Sequence, residues 1–102
     1  MKENTSKFKE NDIVRVLPDV VDPDFNTNIG GWTGQIEEIE IYKKGSWLYR
    51  IRWDKETIAK EGGAYIDKCE RENLDYKVMY LEENDLELIK QPEVLKNGFF
   101  LA

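Results

Sequence analysis

The sequence predicts a mainly β domain: a small five-stranded barrel with a short helical insert between its third and fourth strands. Three observations carry this prediction. Short runs alternate apolar and polar residues, as in Val14-Arg15-Val16 and Tyr49-Arg50-Ile51-Arg52-Trp53, the period of a strand with one buried face. Clusters of Gly, Pro, Asn and Asp separate those runs. After Trp53 the spacing turns helical, opened by Asp54 and interrupted by Gly62-Gly63, a capping residue followed by helix stops.

Residues 1–8 are polar and aperiodic, which predicts a flexible lead-in ahead of a domain spanning residues 9–90. Lys9 to Asp12 forms a turn in which Asn11 takes a left-handed conformation. Ile13 to Leu17 is the first strand, with Val14 and Val16 on the core face, and Pro18 stops it because proline cannot donate to a ladder. From Pro18 to Gly31 the sequence PDVVDPDFNTNIGG holds two prolines, three aspartates, two asparagines and two glycines. That composition makes a loop, long for a compact domain, and long loops often carry function.

Thr33 to Tyr42 is the second strand. Its alternation slips by one residue at Glu37-Glu38, which predicts a β-bulge. Lys43-Lys44-Gly45-Ser46 makes a hairpin turn with glycine supplying a positive φ. Trp47 to Trp53 is the third strand, with Trp47, Tyr49, Ile51 and Trp53 on one face. The insert over 54–74 is read as two helices: Lys55–Glu61, capped by Asp54, and Ala64–Asn73, with Tyr65, Ile66 and Cys69 inward. Asp67 with Arg71, and Lys68 with Glu72, stand four apart and are expected to pair. Val78 to Leu81 and Leu86 to Ile89 complete the strands, joined by a turn over 82–85. The tail, residues 91–102, ends in an apolar run that is expected to pack back on the barrel, the alternative being contact with another chain.

The wording of the first third, Asn11-Asp12-x-Val14-x-Val16 followed by Gly31-x-x-Gly34-x-Ile36, resembles the start of KOW-type small barrels. Further along, Pro23-Asp24-Phe25, Ile29-Gly30-Gly31-Trp32, Tyr65-Ile66, Cys69-Glu70 and Asp85-Leu86-Glu87 look like a group of small, functionally uncharacterised SH3-like proteins, some labelled calcium-binding by similarity. The resemblance implies an SH3-like barrel of the KOW or Tudor kind. Such barrels bind RNA, ribosomal parts or peptides.

Composition narrows the function classes. The chain has 102 residues, a net charge of −6 and no histidine. An acidic chain repels phosphate backbones at long range, which disfavours a nucleic-acid partner. Without histidine the usual neutral-pH acid–base group is missing. The single cysteine, Cys69, has no imidazole to activate it and falls on a buried helix face, so no catalytic residue is assigned. One cysteine also gives no sign of a disulfide framework, and no apolar run approaches the ~20 residues of a membrane span. A cytoplasmic protein, monomeric or weakly dimeric, is the expectation.

Three candidate sites remain. Phe25, Trp32, Tyr42 and Trp47 lie in or beside the first loop and the second hairpin, where exposed aromatics would anchor a protein or peptide partner. Asp19, Asp22 and Asp24 would favour a basic partner there. The same three aspartates, with Asn26 and Asn28 at alternate positions, could instead hold calcium through oxygen ligands, although Thr27 stands where an EF-hand requires glycine. Lys43, Lys44, Arg50 and Arg52 form a basic hairpin that could meet RNA, unless Glu37, Glu38 and Glu40 neutralise it from the next strand.

Overall fold

The computed structural model describes residues 6–41 and 45–91. Its strands are β1 (Ile13–Val16), β2 (Thr33–Ile41), β3 (Trp47–Trp53), β4 (Val78–Glu82) and β5 (Leu86–Lys90). Helices α1 (Lys55–Glu61) and α2 (Gly63–Arg71) join β3 to β4, and a 3-10 turn over Glu83–Asp85 joins β4 to β5. All pairings are antiparallel. The strands make one five-stranded sheet in the order β4-β3-β2-β1-β5. The mainly β class and the helical insert therefore stand. The sheet has two edges, β4 and β5, so its pairing does not close a ring.

Alternation decides which side chains meet. Val14, Val16, Ile36, Tyr49, Ile51 and Trp53 point to one side and are buried. Burying a large apolar side chain contributes roughly 1.5–3 kcal/mol, so this shared face, with Trp32, Tyr65 and Leu81 packed onto it, holds the sheet and helices together. The expected bulge is present. The β2–β3 register shifts between Ile36 and Glu38, and Glu37 has no partner across the strand. Gly34 sits where the two strands come closest: a Cβ there would lie 2.5 Å from the Arg52 carbonyl oxygen. Gly45 takes the positive φ, 81°, that the hairpin turn demands, and Asn11 is left-handed at 75°.

Phe8, assigned by sequence to a flexible lead-in, is instead a core residue, 1% exposed. Its ring meets Tyr49 edge-on at 5.3 Å. The segment is tied down from both sides: the Tyr49 hydroxyl accepts the Phe8 N–H at 3.3 Å, and Glu83 accepts the Lys7 N–H at 2.7 Å. A single apolar residue among charged ones carries no periodicity, which is why the sequence pattern passed over it. The first strand ends at Val16, one residue earlier than expected, although the Leu17 N–H still follows the β1–β5 register to the Asp85 carbonyl at 2.9 Å.

In the insert, Asp54 caps α1 as its chemistry predicts, accepting the Thr57 N–H at 2.8 Å. Helix α2 follows at once and buries Tyr65 and Cys69. The two charge pairs expected on its outer face do not form. Arg71 donates to the Asp67 carbonyl at 3.4 Å, and the Lys68 ammonium leans over the Phe25 ring, 6.0 Å from its centroid. Among the described residues, no helix is long and apolar enough to cross a membrane.

Candidate functional site

The long first loop is organised by one buried carboxylate. Asp22 is 0% exposed. One of its oxygens accepts the Asp24 and Phe25 N–H groups at 2.9 and 2.7 Å, and the other accepts the Thr27 N–H at 2.7 Å. An isolated bridge between Val21 and Asn28 closes the loop on itself. Both Asp22 oxygens therefore serve backbone donors, the usual way a buried carboxylate is kept stable. Asp19 and Asp24 are exposed. Among the described residues, no group of three or more acidic, Cys or His side chains could hold a metal ion. The calcium arrangement of Asp19, Asp22 and Asp24 that their spacing allowed is not assembled among the described residues, and the Asp22 carboxylate organises the loop backbone instead.

The aromatic candidates fall into two separate places. Trp32 is only 4% exposed, wedged edge-on between Trp53 at 5.2 Å and Tyr65 at 5.4 Å. It is a core residue and offers no anchor to a partner. Phe25 is half-buried and packs edge-on against Tyr65 at 6.0 Å. The loop thus leans on α2. Trp47 belongs elsewhere: with Gly45 and Ser46 it faces Glu82, Glu83 and Asn84 across a cleft of about 120 Å³. Among the described residues no ring contact joins Trp47 to Phe25 or Trp32. Tyr42, Lys43 and Lys44 lie outside the described residues, as does the expected placement of the tail from residue 92 onward.

The Trp47 cleft is set by its neighbours. The indole body packs against the core, while its Nε1–H is buried without an acceptor among the described residues. Across from it, the Glu83 carboxylate accepts the Tyr49 hydroxyl at 2.5 Å. Burial, and then that bond to Glu83, push the Tyr49 hydroxyl pKa up to about 12. Asp85 accepts the Glu82 N–H at 3.3 Å and steadies the 3-10 turn. The result is a small, mostly polar cleft in which Trp47 lies beside Glu82 and Glu83.

The basic hairpin is neutralised where it is described. Arg50 pairs with Glu37 at 3.3 Å and with Glu38 at 3.9 Å, and Arg52 pairs with Glu37. The bulge makes this possible, because Glu37 is free of a cross-strand partner and reaches both arginines. Cross-strand pairing thus accounts for Arg50 and Arg52.

Cys69 is 1% exposed, and burial pushes its thiol above the ordinary range, away from the reactive thiolate. Burial and a hydrogen bond with Cys69 likewise raise the Tyr65 hydroxyl. At the start of α1, burial alone would raise the Asp54 carboxyl. Hydrogen bonds from the Thr33 hydroxyl and the Thr57 amide and hydroxyl, with Lys60 nearby, outweigh it and hold the group below its usual value. These contacts make a capping cluster.

One feature escaped the sequence reading: an apolar groove between α1 and the β3–β4 strand ends, floored by Trp53, Ile58 and Tyr76. Its residues come from three segments, and only the spacing of Lys55, Ile58 and Ala59 along one helix face hinted at it. Compared with protein-family models, with curated proteins and with solved structures, the chain matches none.

Proposed function

We propose that the chain is an SH3-like small barrel and works as a non-enzymatic interaction module, taking a basic segment of a protein partner in the Trp47 cleft. The sheet order supports the barrel reading, since β1 pairs with both β2 and β5 and so brings the N-terminal strand beside β5. The observation that carries the function is the cleft itself, where a half-buried indole faces Glu82 and Glu83. An Arg or Lys side chain laid on the indole gains a cation–π contact worth about 0.5–1 kcal/mol at an exposed site. The carboxylates opposite accept its donors, and the net charge of −6 speeds the encounter.

A peptide array graded from acidic to basic, probed with the full chain, tests this. Basic peptides should be retained. Asn84→Lys and Glu82→Gln, both at exposed positions, should weaken retention without changing the unfolding curve. Retention indifferent to peptide charge, or unmoved by both substitutions, would remove the cleft from consideration. Trp47→Phe separates stacking from packing, because phenylalanine keeps an apolar body against the core.

A further inference from the structure

The groove beside α1 is a second surface with the opposite electrical character, and it stands independently of the Trp47 cleft. Its volume is about 380 Å³, its floor is Trp53, Ile58 and Tyr76, and exposed Ala59 stands at its mouth. Trp53 is 5% exposed, so the floor belongs to the core, and Ile58 and Tyr76 pack against that core as well. The wall is fixed by the backbone. The Trp53 N–H donates to the Lys77 carbonyl at 2.9 Å, and Asp75 accepts the Lys77 N–H at 2.9 Å. A preformed apolar concavity of this size is in the range that ligands fill.

The rim consists of Arg52, Lys55 and Lys77, with no carboxylate among the lining residues. On a chain of net charge −6 this is a local inversion of sign. The Arg52 guanidinium is engaged by Glu37, whereas Lys55 and Lys77 have no ion pair among the described residues. Of the acids beside them in sequence, Asp54 accepts from Thr33 and Thr57, Asp75 accepts the Lys77 N–H, and Glu56 does not line the groove. The buried Trp53 indole N–H has no acceptor among the described residues.

We infer that this groove docks a segment of a partner protein carrying one large apolar side chain flanked by carboxylates. The apolar side chain would cover Trp53, Ile58 and Tyr76, and the flanking acids would meet Lys55 and Lys77. Charge argues against the other occupants. A second copy also carries −6 and is repelled at long range,. Residues 92–102 contain one Glu and one Lys and so bring no acidic excess from their side chains.

Selection of short random peptides on the full-length chain tests the inference. The expected winners are acidic and contain Trp, Phe or Leu. The double substitution Lys55→Glu/Lys77→Glu should weaken them about tenfold or more, as reversal of rim charges does. Both lysines are exposed, so the variant keeps the fold. Ala59→Gln, also at an exposed helical position, should weaken them by filling the mouth. Glu82→Gln should leave them unchanged, which separates this groove from the Trp47 cleft. Basic or neutral winners, no winners, or affinity indifferent to the charge reversal would each overturn the inference. A dimer in sedimentation that Lys55→Glu/Lys77→Glu dissolves would overturn it too, by giving the groove to a second copy.

Discussion

Removing one oxygen tests how the N-terminal segment and the acidic cleft are coupled. In Tyr49→Phe the ring stays in place, 0% exposed and edge-on to Phe8. What disappears is a hydroxyl that accepts the Phe8 N–H at 3.3 Å and donates to Glu83 at 2.5 Å. An orphaned buried donor costs about 1–3 kcal/mol. The lost bond to a carboxylate adds to this, but half-buried Glu83 regains part of it from water. We expect a net loss of about 2 kcal/mol, or roughly 10 °C in Tm for a domain this size. Urea unfolding at neutral pH, followed by tryptophan fluorescence, measures it. The pH profile gives a second reading. The Tyr49 hydroxyl titrates near 12 in the folded chain against 10 for the free group. Its contribution is therefore complete below pH 10 and lost as pH rises through 12. The gap between wild type and Tyr49→Phe should close across that interval. A loss under about 0.5 kcal/mol, the noise of surface substitutions, or a gap constant from pH 10 to 12, would refute the reasoning.

Other substitutions have equally definite expectations. Trp32→Ala should cost about 3–5 kcal/mol, because it empties the space between Trp53 and Tyr65; thermal unfolding would show it, and a near-neutral result would put Trp32 back on the surface. Asp22→Ala leaves three loop amides without their acceptor and should destabilise by about 2–4 kcal/mol, with hydrogen exchange rising first at Asp24, Phe25 and Thr27. Asp54 has a lowered folded pKa, so its stabilisation is full above the unfolded value near 4 and fades as pH falls below it. Asp54→Asn should therefore unfold more easily at pH 7 yet lose less stability than wild type on acidification. Glu37→Gln should release both Arg50 and Arg52, and because exposed pairs are worth about 0–1 kcal/mol, its main effect should be a change in salt dependence read by melting at low and high ionic strength.

Most of the sheet was legible because a strand with one buried face must alternate. Val14 and Val16, and Tyr49, Ile51 and Trp53, declare themselves that way, and the broken alternation at Glu37-Glu38 located the bulge. Asp54 announced its helix because a capping carboxylate acts on residues only three positions away. The candidate sites were far less legible. An aromatic in a loop reads identically whether it faces water or the core, and only the third dimension assigns Trp32 to Trp53 and Tyr65. The aspartates of the first loop have the spacing of cation ligands and of backbone-capping turns alike; the direction of the Asp22 oxygens decides between them. Phe8 and the groove beside α1 depend on segments far apart in the chain, for which local pattern holds no signal.

The place of β1 bears on how the chain is made. One neighbour of β1 is β2, a loop away; the other is β5, and the Lys7 N–H reaches Glu83 across 76 positions. A nascent chain emerging from the ribosome can pair β2 with β3 early, but β1 waits half satisfied until residues 86–90 are released. Long-range closure of this kind is slow, since the loop must be ordered before the contact rewards it. Until then the β1 edge stands open to its surroundings, while Phe8 already finds Tyr49 of β3. The pairing of β5 with β1 is what ends that exposure.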